Sequence, residues 1–595
     1  MTDPQTDVAD ADRGFVATLD DPLIRKADGT VVFDASWGRA VEGDAPETAH
    51  ASLWRQAGLT ARNGLYEVAP GFYQVRGFDI SNMTIVEGET GVIVIDPLLG
   101  AETAAAGLAL YRRERGDRPV TAVIYTHAHI DHFGGVLGVV DADTDVPIVA
   151  PEHFLEHAVS ENVYAGTAML RRSVYYDGHV LPKGARGSLG IGLGPGAASA
   201  TVGLLAPTLD ITRTGQEEVL DGVRIVFQLT PNTESPAEMN FFFPDHRVLC
   251  MAENATHTMH NILTLRGAQV RDARIWSRYL AEAVELFAHD ADVVLASHHW
   301  PTWGTERLVT FLEQQRDLYA FLNDQTLRLM NQGLTGTEIA EVLELPAALS
   351  DAFHARGYYG SLSHNAKATY QRYLGWYDGN PAHLWQHPPQ AQGERYVELL
   401  GGVGAVVDAA RRYAEQGDLR FAAELASHAV FAAPDDADAK ETLAGVLERL
   451  GFGAENATWR NAYLVGAQEL RQGIEGMDIS SAGMAGALTV TQLFDTVAIR
   501  LDAAKAGAAR ASVRWVFTDL GETYRMELSN GALVHFPTSR HDPADLAVTL
   551  TRPALLKVVG TGSLDGLATE GDAGAWATIL GLTDAPDPVF PIVTP

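Results

Sequence analysis

The chain has little cysteine and little positive charge. Its 595 residues include a single cysteine, Cys250, and 44 Lys and Arg against 76 Asp and Glu, which gives a formal net charge of −32. One cysteine excludes an intramolecular disulfide and a thiolate metal cluster, so a metal site would have to use His, Asp and Glu. The negative charge opposes nucleic-acid binding, and an anionic substrate would need a local positive site.

Long apolar runs are also absent. No stretch of about 18 or more apolar residues occurs, so we expect no membrane span. The first residues, MTDPQTDVADADRG, lack the basic start and apolar run of a secretory signal. The expected location is therefore the cytoplasm.

The pattern of elements divides the chain into three regions, which we expect at residues 1–312, 313–475 and 476–595. Strand and helix patterns alternate in the first region and indicate an α/β layered domain. The second region is helical, with paired helices predicted at 404–452, and the pattern at 414–452 resembles a tetratricopeptide unit. The third region, with alternating strands after an amphipathic helix at Leu488–Ala503, is predicted to be a small α+β domain.

A glycine-rich segment at 184–203 has two interpretations. It is either a mobile loop beside a pocket or a plain surface loop, and its composition does not decide between them.

The motif THAHIDHFGG at 126–135 directly follows a predicted strand. It places His127, His129, Asp131 and His132 within six residues, which is costly beside a buried strand end unless something coordinates them. In a turn, the first two side chains can face one way and the last two the other, an arrangement suited to two metal ions. Nitrogen and oxygen ligands suit zinc, although manganese, iron or cobalt would also be accepted.

This motif resembles the signature of the metallo-β-lactamase superfamily, which implies a four-layer αββα fold and a binuclear site. Three further segments, LTPNTESPAEM at 229–239, CMAENATH at 250–257 and SHHWP at 297–301, resemble the alkyl sulfatases of that superfamily. The resemblance implies that a hydroxide bridging two zinc ions hydrolyses an alkyl sulfate ester to an alcohol and inorganic sulfate.

The resemblance also implies the metal ligands. Seven side chains are expected to hold two zinc ions per subunit: His127, His129 and Glu234 the first, Asp131, His132 and His298 the second, and Glu253 both.

Three points about these ligands stay open. Glu238 could replace Glu234, and His299 could be the ligand rather than His298. Asp96, at the end of the strand GVIVIDP, either orients a ligand histidine or caps the following turn.

The segment HNILTLRGAQVR at 260–271 leads from the Glu253 strand into a predicted helix. A helix N-terminus with nearby arginines favours an anion. By resemblance, four of its side chains are candidates for holding sulfate: Asn261, Thr264, Arg266 and Arg271. Arg266 would form a fork to sulfate oxygens and Arg271 would stabilise the leaving charge, so both join Asp131 as candidate catalytic residues. Alternatively, the arginines only balance neighbouring acidic side chains.

The resemblance covers nearly the whole chain. It implies that the helical region is a dimerisation domain, which makes a homodimer the expected assembly. It also implies a C-terminal domain like the sterol carrier proteins, which would help to handle the alkyl chain. Two other functions remain as alternatives: a thioesterase or lactonase on the same fold, or a lipid-binding scaffold whose metal site is vestigial.

Overall fold

A computed structural model describes residues 4–476 and 481–595. Two facing sheets form the centre of its first region. Numbered in chain order, their strands and those of a small hairpin, β2–β3, are β1 Phe15–Ala17, β2 Leu23–Arg25, β3 Val31–Asp34, β4 Gly64–Ala69, β5 Phe72–Arg76, β6 Met83–Glu87, β7 Val92–Ile95, β8 Val120–Ile124, β9 Ile148–Pro151, β10 Leu209–Ile211, β11 Glu217–Leu220, β12 Val223–Leu229, β13 Met239–Phe243, β14 Val248–Cys250, β15 Val293–Leu295 and β16 Thr302–Trp303.

Among the described residues, the first sheet has eight strands in the order β1-β4-β5-β6-β7-β8-β9-β10, and the second has six in the order β11 to β16. In the first sheet, β1 and β4 to β7 pair antiparallel and β7 to β10 pair parallel. In the second sheet, β14 and β15 form the parallel pair. Each parallel pair directs two carboxyl ends to the same sheet edge, which brings distant residues together there.

The helices of this region are α1 Pro4–Asp12, α2 Ala51–Thr60, α3 Ala101–Arg115, α4 Phe154–Val159, α5 Gly166–Ser173 and α6 Ala273–Leu286. Helices α3 and α6 pack against the outer faces of the two sheets.

Apolar side chains between the layers explain their packing. Phe72 and Ile124 of the first sheet meet Phe241 of the second in one buried cluster, while Leu108 on α3 and Trp276 on α6 belong to the clusters on the outer faces. Strands that are buried on both faces read as continuous apolar runs, as VIVI of β7 does. The expected four-layer αββα sandwich is confirmed.

The second region is helical, as predicted. Its helices are α7 Thr305–Met330, α8 Gly336–Val342, α9 Ala347–Ser350, α10 Leu362–Leu374, α11 Pro389–Leu399, α12 Val403–Glu415, α13 Leu419–Ala432, α14 Ala437–Gly453 and α15 Ala457–Gln472. Helices α12 to α15 pack side by side around Val407, Ala426 and Leu443, and α15 also contacts residues 174–178 of the first region. The helix pair that resembles a tetratricopeptide unit is therefore covered on one face by its own chain.

The third region is a small α+β domain. Its elements are α16 Val490–Ala498, α17 Ala503–Ala506, β17 Ala511–Phe517, β18 Glu522–Ser529, β19 Ala532–Pro537, β20 Leu546–Leu550, α18 Arg552–Thr561, β21 Ala568–Gly571 and α19 Gly574–Gly581. The helix predicted from residue 488 to 503 is shorter, because a capping box at Thr489 starts it and Ile499 ends it. Phe494, Trp515 and Trp576 pack between the helices and the sheet.

The glycine-rich segment lies mostly buried rather than on the surface. Gly192 and Gly194 approach the backbone of Tyr358 and Ile80 so closely that an added Cβ would lie 2.4 and 2.1 Å from the carbonyl oxygens. Leu193, between them, lines a cavity described below. The interpretation as a plain surface loop is wrong, because these glycines allow the backbone to pack against its neighbours. None of the helices in the described ranges is long and apolar enough to cross a membrane.

Candidate metal centre and cavity

The motif residues and three distant side chains meet where parallel strands end. Asp96 follows β7 and the motif at 126–135 follows β8, and these strands are parallel neighbours in the first sheet. Glu253 and His298 follow β14 and β15, which form the parallel pair of the second sheet. Glu234 lies in the loop between β12 and β13. Both sheets therefore contribute side chains to one edge of the sandwich.

The first group of side chains comprises His127, His129, Glu234 and Glu253. The Nε2 atom of His127 lies 3.2 Å from Oε2 of Glu234 and 3.4 Å from Oε2 of Glu253. The Nδ1 atom of His129 lies 2.8 Å from the same Glu234 oxygen. All four residues are buried.

The second group comprises Asp131, His132, Glu253 and His298. Nε2 of His132 lies 3.1 Å from Oδ2 of Asp131 and 3.1 Å from Oε2 of Glu253. Nε2 of His298 lies 3.0 Å from Oε2 of Glu253 and 3.7 Å from Oδ2 of Asp131. Glu253 is shared by both groups, as a bridging ligand would be.

Several nitrogen and oxygen atoms of these groups that could bind a metal ion make no hydrogen bond. Among the described residues, the Nε2 atoms of His127, His132 and His298 and the Oε2 atom of Glu234 are buried without a hydrogen-bond partner. Buried polar atoms without partners are costly, so their convergence needs an explanation. Zinc bonds of about 2.0–2.2 Å in a tetrahedron set neighbouring ligand atoms about 3.3 Å apart. The observed separations fit that requirement.

The opposite ring nitrogens are fixed by hydrogen bonds. Nδ1 of His132 lies 2.9 Å from Oδ2 of Asp96, which also accepts from the hydroxyls of Thr126 and Ser297. Nδ1 of His298 lies 3.0 Å from the carbonyl oxygen of Ile80. Such contacts fix the tautomer and the ring orientation of a ligand histidine. Of the two roles considered for Asp96, the structure shows the contact with a histidine.

Glu238 and His299 are engaged elsewhere. The Glu238 carboxylate accepts hydrogen bonds from the hydroxyl of Thr233 and from the backbone amides of Ser235 and Glu253. The His299 ring contacts the carbonyl of Gly192 through Nε2 at 3.0 Å and accepts from the His257 amide through Nδ1. The structure thus places Glu234 and His298 in the two groups, whereas Glu238 and His299 lie outside them.

The close packing of charged side chains at this site shifts the pKa values of its carboxyl groups. Burial disfavours the charged form of each carboxyl, but the charge of His298 and the close approach of the His127, His132 and His260 rings lower the pKa of Glu253 well below its usual value. Burial is likewise outweighed at Asp131, where His132 lowers the pKa. At Glu238 burial and the nearby Glu234 charge both raise the pKa. The side chains of the two groups therefore favour anionic carboxylates, whereas Glu238 favours its neutral form.

A cavity of about 370 Å³ opens above the groups. His129, Asp131, Glu234 and Glu253 belong to its floor. Much of its wall is apolar and comes from several segments, with lining residues Ile80, Leu99, Ile130, Met169, Leu170, Leu193, Ala197, Tyr176, Tyr359 and Pro588. The volume lies at the small end of the range of about 300–1,000 Å³ for ligand sites.

The predicted sulfate-binding residues separate into two pairs. Arg266 and Arg271 line the cavity, whereas Asn261 and Thr264 are buried and are not among its described lining residues. The amide nitrogen of Asn261 and the hydroxyl of Thr264 still have no described hydrogen-bond partner. The Arg271 guanidinium contacts the Glu234 carboxylate at 2.5 Å and also donates to Asn261. It therefore holds a side chain of the first group in place.

Sequence reasoning missed Glu161 and the position of His260. Glu161 lies between His129, whose Nε2 atom is 3.5 Å from Oε2 of Glu161, and Arg266, whose Nη2 atom is 3.3 Å from the same oxygen. Nε2 of His260 lies 2.8 Å from Oε1 of Glu253. Glu161 belongs to a helical segment without a motif, so no signal identified it. His260 was visible as a histidine beside the anion segment, but spacing did not reveal its contact.

Comparisons with known proteins agree with this geometry. The model of the metallo-β-lactamase superfamily matches residues 76–298, the model described as alkyl sulfatase dimerisation matches 335–473, and the alkyl sulfatase C-terminal model matches 478–595. The fold thus defines a member of the metallo-β-lactamase superfamily with two appended regions.

Individual relatives narrow the class. A linear primary-alkylsulfatase from Pseudomonas sp is 46% identical over 100% of this chain and 90% of its own length, and an (R)-specific secondary-alkylsulfatase from Pseudomonas sp is 44% identical over 98% and 90%. The solved structure of the stereoselective inverting sec-alkylsulfatase Pisa1 from Pseudomonas sp. is 43% identical, with a TM-score of 0.96 over 99% of this chain and 95% of that one. The chain belongs to the alkylsulfatase family, a family of sulfuric ester hydrolases.

Proposed function

We propose that this protein hydrolyses alkyl sulfate esters to an alcohol and inorganic sulfate, with two zinc ions held by the seven predicted side chains. The observation that carries the proposal is the pair of ligand groups that share Glu253 at the floor of a largely apolar cavity. With two divalent ions bound, the floor would carry the positive charge that a sulfate ester needs, and an apolar wall suits the alkyl chain.

The donor set fits two metal ions. His127, His129 and Glu234 would hold the first, Asp131, His132 and His298 the second, and Glu253 both. Zinc bound there lowers the pKa of a water towards about 7 and so supplies a nucleophile at neutral pH. Asp96 holds His132 in the orientation that presents Nε2 to the site, and Arg271 does the same for the Glu234 carboxylate.

The positive charge that binds sulfate would come from Arg266. Its side chain lines the cavity, and its guanidinium contacts Glu161. A planar guanidinium can donate two parallel hydrogen bonds to sulfate oxygens. The donors of Arg271 are largely occupied by Glu234 and Asn261, which favours an orienting role over a direct one for that side chain.

The surface of the helical region supports the proposed homodimer. Trp385 is 98% exposed, Leu399 80% and Trp376 76%. Large apolar side chains clustered between residues 373 and 400 would be covered by the same region of a second copy. Light scattering on the purified chain would give twice the monomer mass, and Trp376→Ser with Trp385→Ser would shift the mass towards the monomer.

We also propose three domains, with the limits 1–312, 313–475 and 476–595. The third domain is proposed to resemble the sterol carrier proteins, and the protein is proposed to act in the cytoplasm. Domains expressed to those limits would test the first of these proposals. The first limit falls within the unbroken helix α7, Thr305–Met330, and side chains on both sides of it, Leu308 and Leu318, belong to one buried apolar cluster with Trp276.

The proposed reaction is tested by measuring sulfate release from primary and secondary alkyl sulfates, with a thioester and a lactam as comparison substrates. Two zinc ions per chain and sulfate release would support the proposal. Turnover of only the thioester or lactam would favour another hydrolase on this fold, and a metal-free, inactive chain would favour a scaffold. Hydrolysis in oxygen-labelled water distinguishes cleavage at carbon from cleavage at sulfur, because the label enters the alcohol or the sulfate respectively.

A further inference from the structure

The segment after the last helix returns to the cavity of the first region. Helix α19 ends at Gly581, and Pro588, seven residues later, lines the cavity above the metal ligands. Its neighbour Val589 is 48% exposed. The third region of the chain therefore contributes directly to the wall of the site.

Arg171 on α5 anchors this segment. Its guanidinium is 1% exposed, donates from Nε to the carbonyl oxygen of Phe590 at 2.8 Å and pairs with the Glu469 carboxylate at 2.6 Å. A buried arginine needs both its ion pair and its hydrogen bonds, so the Phe590 carbonyl cannot leave without a large penalty.

The same helix forms a neighbouring part of the wall. Met169, Leu170 and Ser173 of α5 line the cavity, while Arg171 points to the C-terminal segment. Val593 adds a second anchor, because it packs against the apolar cluster between α14 and α15. The segment is thus fixed to the cavity wall on one side and to the helical region on the other.

The shape of the cavity gives this segment a role. Its volume of about 370 Å³ must hold the sulfate group at the floor, so a long alkyl chain extends to the mouth. Pro588 lines this cavity and begins the apolar sequence Pro588-Val589-Phe590. An apolar ligand passing over these half-exposed side chains removes their surface from water.

We propose that residues 587–590 form the outer wall of the substrate cavity and contact the far end of long alkyl chains, so that they set the preference for chain length. The proposal rests on the proposed function for the identity of the ligand. Arg171 acts as a positioning residue, since it holds the segment and does not touch the chain itself.

The test compares Pro588→Asp with Pro586→Asp. Both variants add one negative charge to the same exposed segment, but only Pro588 is a described lining residue of the cavity. Sulfate release is measured with hexyl, octyl and decyl sulfate, and binding is measured by calorimetry with the matching alkyl sulfonates, which cannot be hydrolysed to sulfate. A variant that lacks residues 586–595 provides a second perturbation, and thermal melting and metal content verify that each protein is intact.

We expect Pro588→Asp and the deletion to weaken decyl binding about tenfold or more while hexyl binding changes less than about threefold, because each methylene removed from apolar contact reduces affinity roughly fourfold. Pro586→Asp should keep the parent profile. An equal loss at all chain lengths, or no loss at any, would overturn the proposal. If the parent releases no sulfate, the proposed reaction fails, while sulfonate binding still decides the role of the segment.

Discussion

The floor and the wall of the cavity are built in different ways. The floor consists of side chains at the ends of neighbouring strands, and the histidines His132 and His298 are held from behind by further hydrogen bonds. The wall consists of short helices, with π-helical turns at Ser160–Tyr164 and Val174–Gly178, and of the segment around Pro588. The floor needs particular atoms at defined separations, whereas the wall needs only to surround an apolar group.

This difference separates chemistry from selectivity. A metal site requires particular ligand atoms at particular separations, so a single change there removes function. An apolar wall tolerates many side chains of similar volume, so changes there alter which ester fits. Primary- and secondary-alkylsulfatases among the relatives are about equally similar to this chain, 46% and 44% identical. In this chain we expect changes in the wall to alter which ester is accepted, and changes in the floor to remove activity altogether.

The largest effect is expected from Glu253→Gln, which breaks the floor at its shared ligand. Activity should fall roughly 10³-fold or more, since charge stabilisation by the bound ions contributes several kcal/mol. Metal analysis of the purified variant should show that the binding of both ions is weakened together.

The matched variant Glu234→Gln should weaken the binding of one ion more than that of the other, because Glu234 belongs only to the first group of side chains. Loss of only one ion from Glu253→Gln would contradict the bridging role.

Arg266→Ala should have the next largest effect and should leave the floor intact. The variant loses a fork of two charged hydrogen bonds, each worth about 1.5–3 kcal/mol, so activity on sulfate esters should fall by about 10²-fold or more. Metal content should equal that of the parent. Arg266→Lys keeps the positive charge but not the forked pair of hydrogen bonds, so its activity should lie between that of the parent and that of Arg266→Ala. Unchanged activity in Arg266→Ala would show that sulfate is held by other groups.

The floor could be predicted from sequence to a large extent. The motif at 126–135 supplies four side chains of the two groups within one short segment, and the resemblance to the alkyl sulfatases supplied Glu234, Glu253 and His298. Hydrogen bonding then explains why Glu234 and His298, and not Glu238 and His299, belong to the groups. That choice depends on contacts between distant segments, which spacing alone does not contain.

The wall could not be predicted in the same way. Glu161 and Pro588 lie in segments with no periodic pattern or motif, and they reach the cavity only through tertiary packing. The glycine-rich segment at 184–203 illustrates the same limit. Its composition suits both a surface loop and a buried one, and only the close approach to other backbone segments distinguishes them.

The smallest effect is expected from Asp177→Asn, a change to the wall that should alter stability more than turnover. Asp177 lines the cavity and is buried, and burial raises the pKa of its carboxyl to about 7, although the charge of Arg266 opposes the shift. A carboxyl whose folded-state pKa is raised destabilises the protein as pH increases from its ordinary pKa, near 4, to about 7.

The asparagine variant removes this penalty because its side chain does not ionise. Relative to the parent, its free energy of unfolding should gain about 2–3 kcal/mol between pH 5 and pH 8, because the penalty in the parent grows by about 1.4 kcal/mol for each pH unit up to the raised pKa of about 7. Urea unfolding of both proteins at the two pH values measures the difference. A difference in stability that is the same at both pH values would mean that the folded protein solvates this carboxylate well and that burial does not raise its pKa.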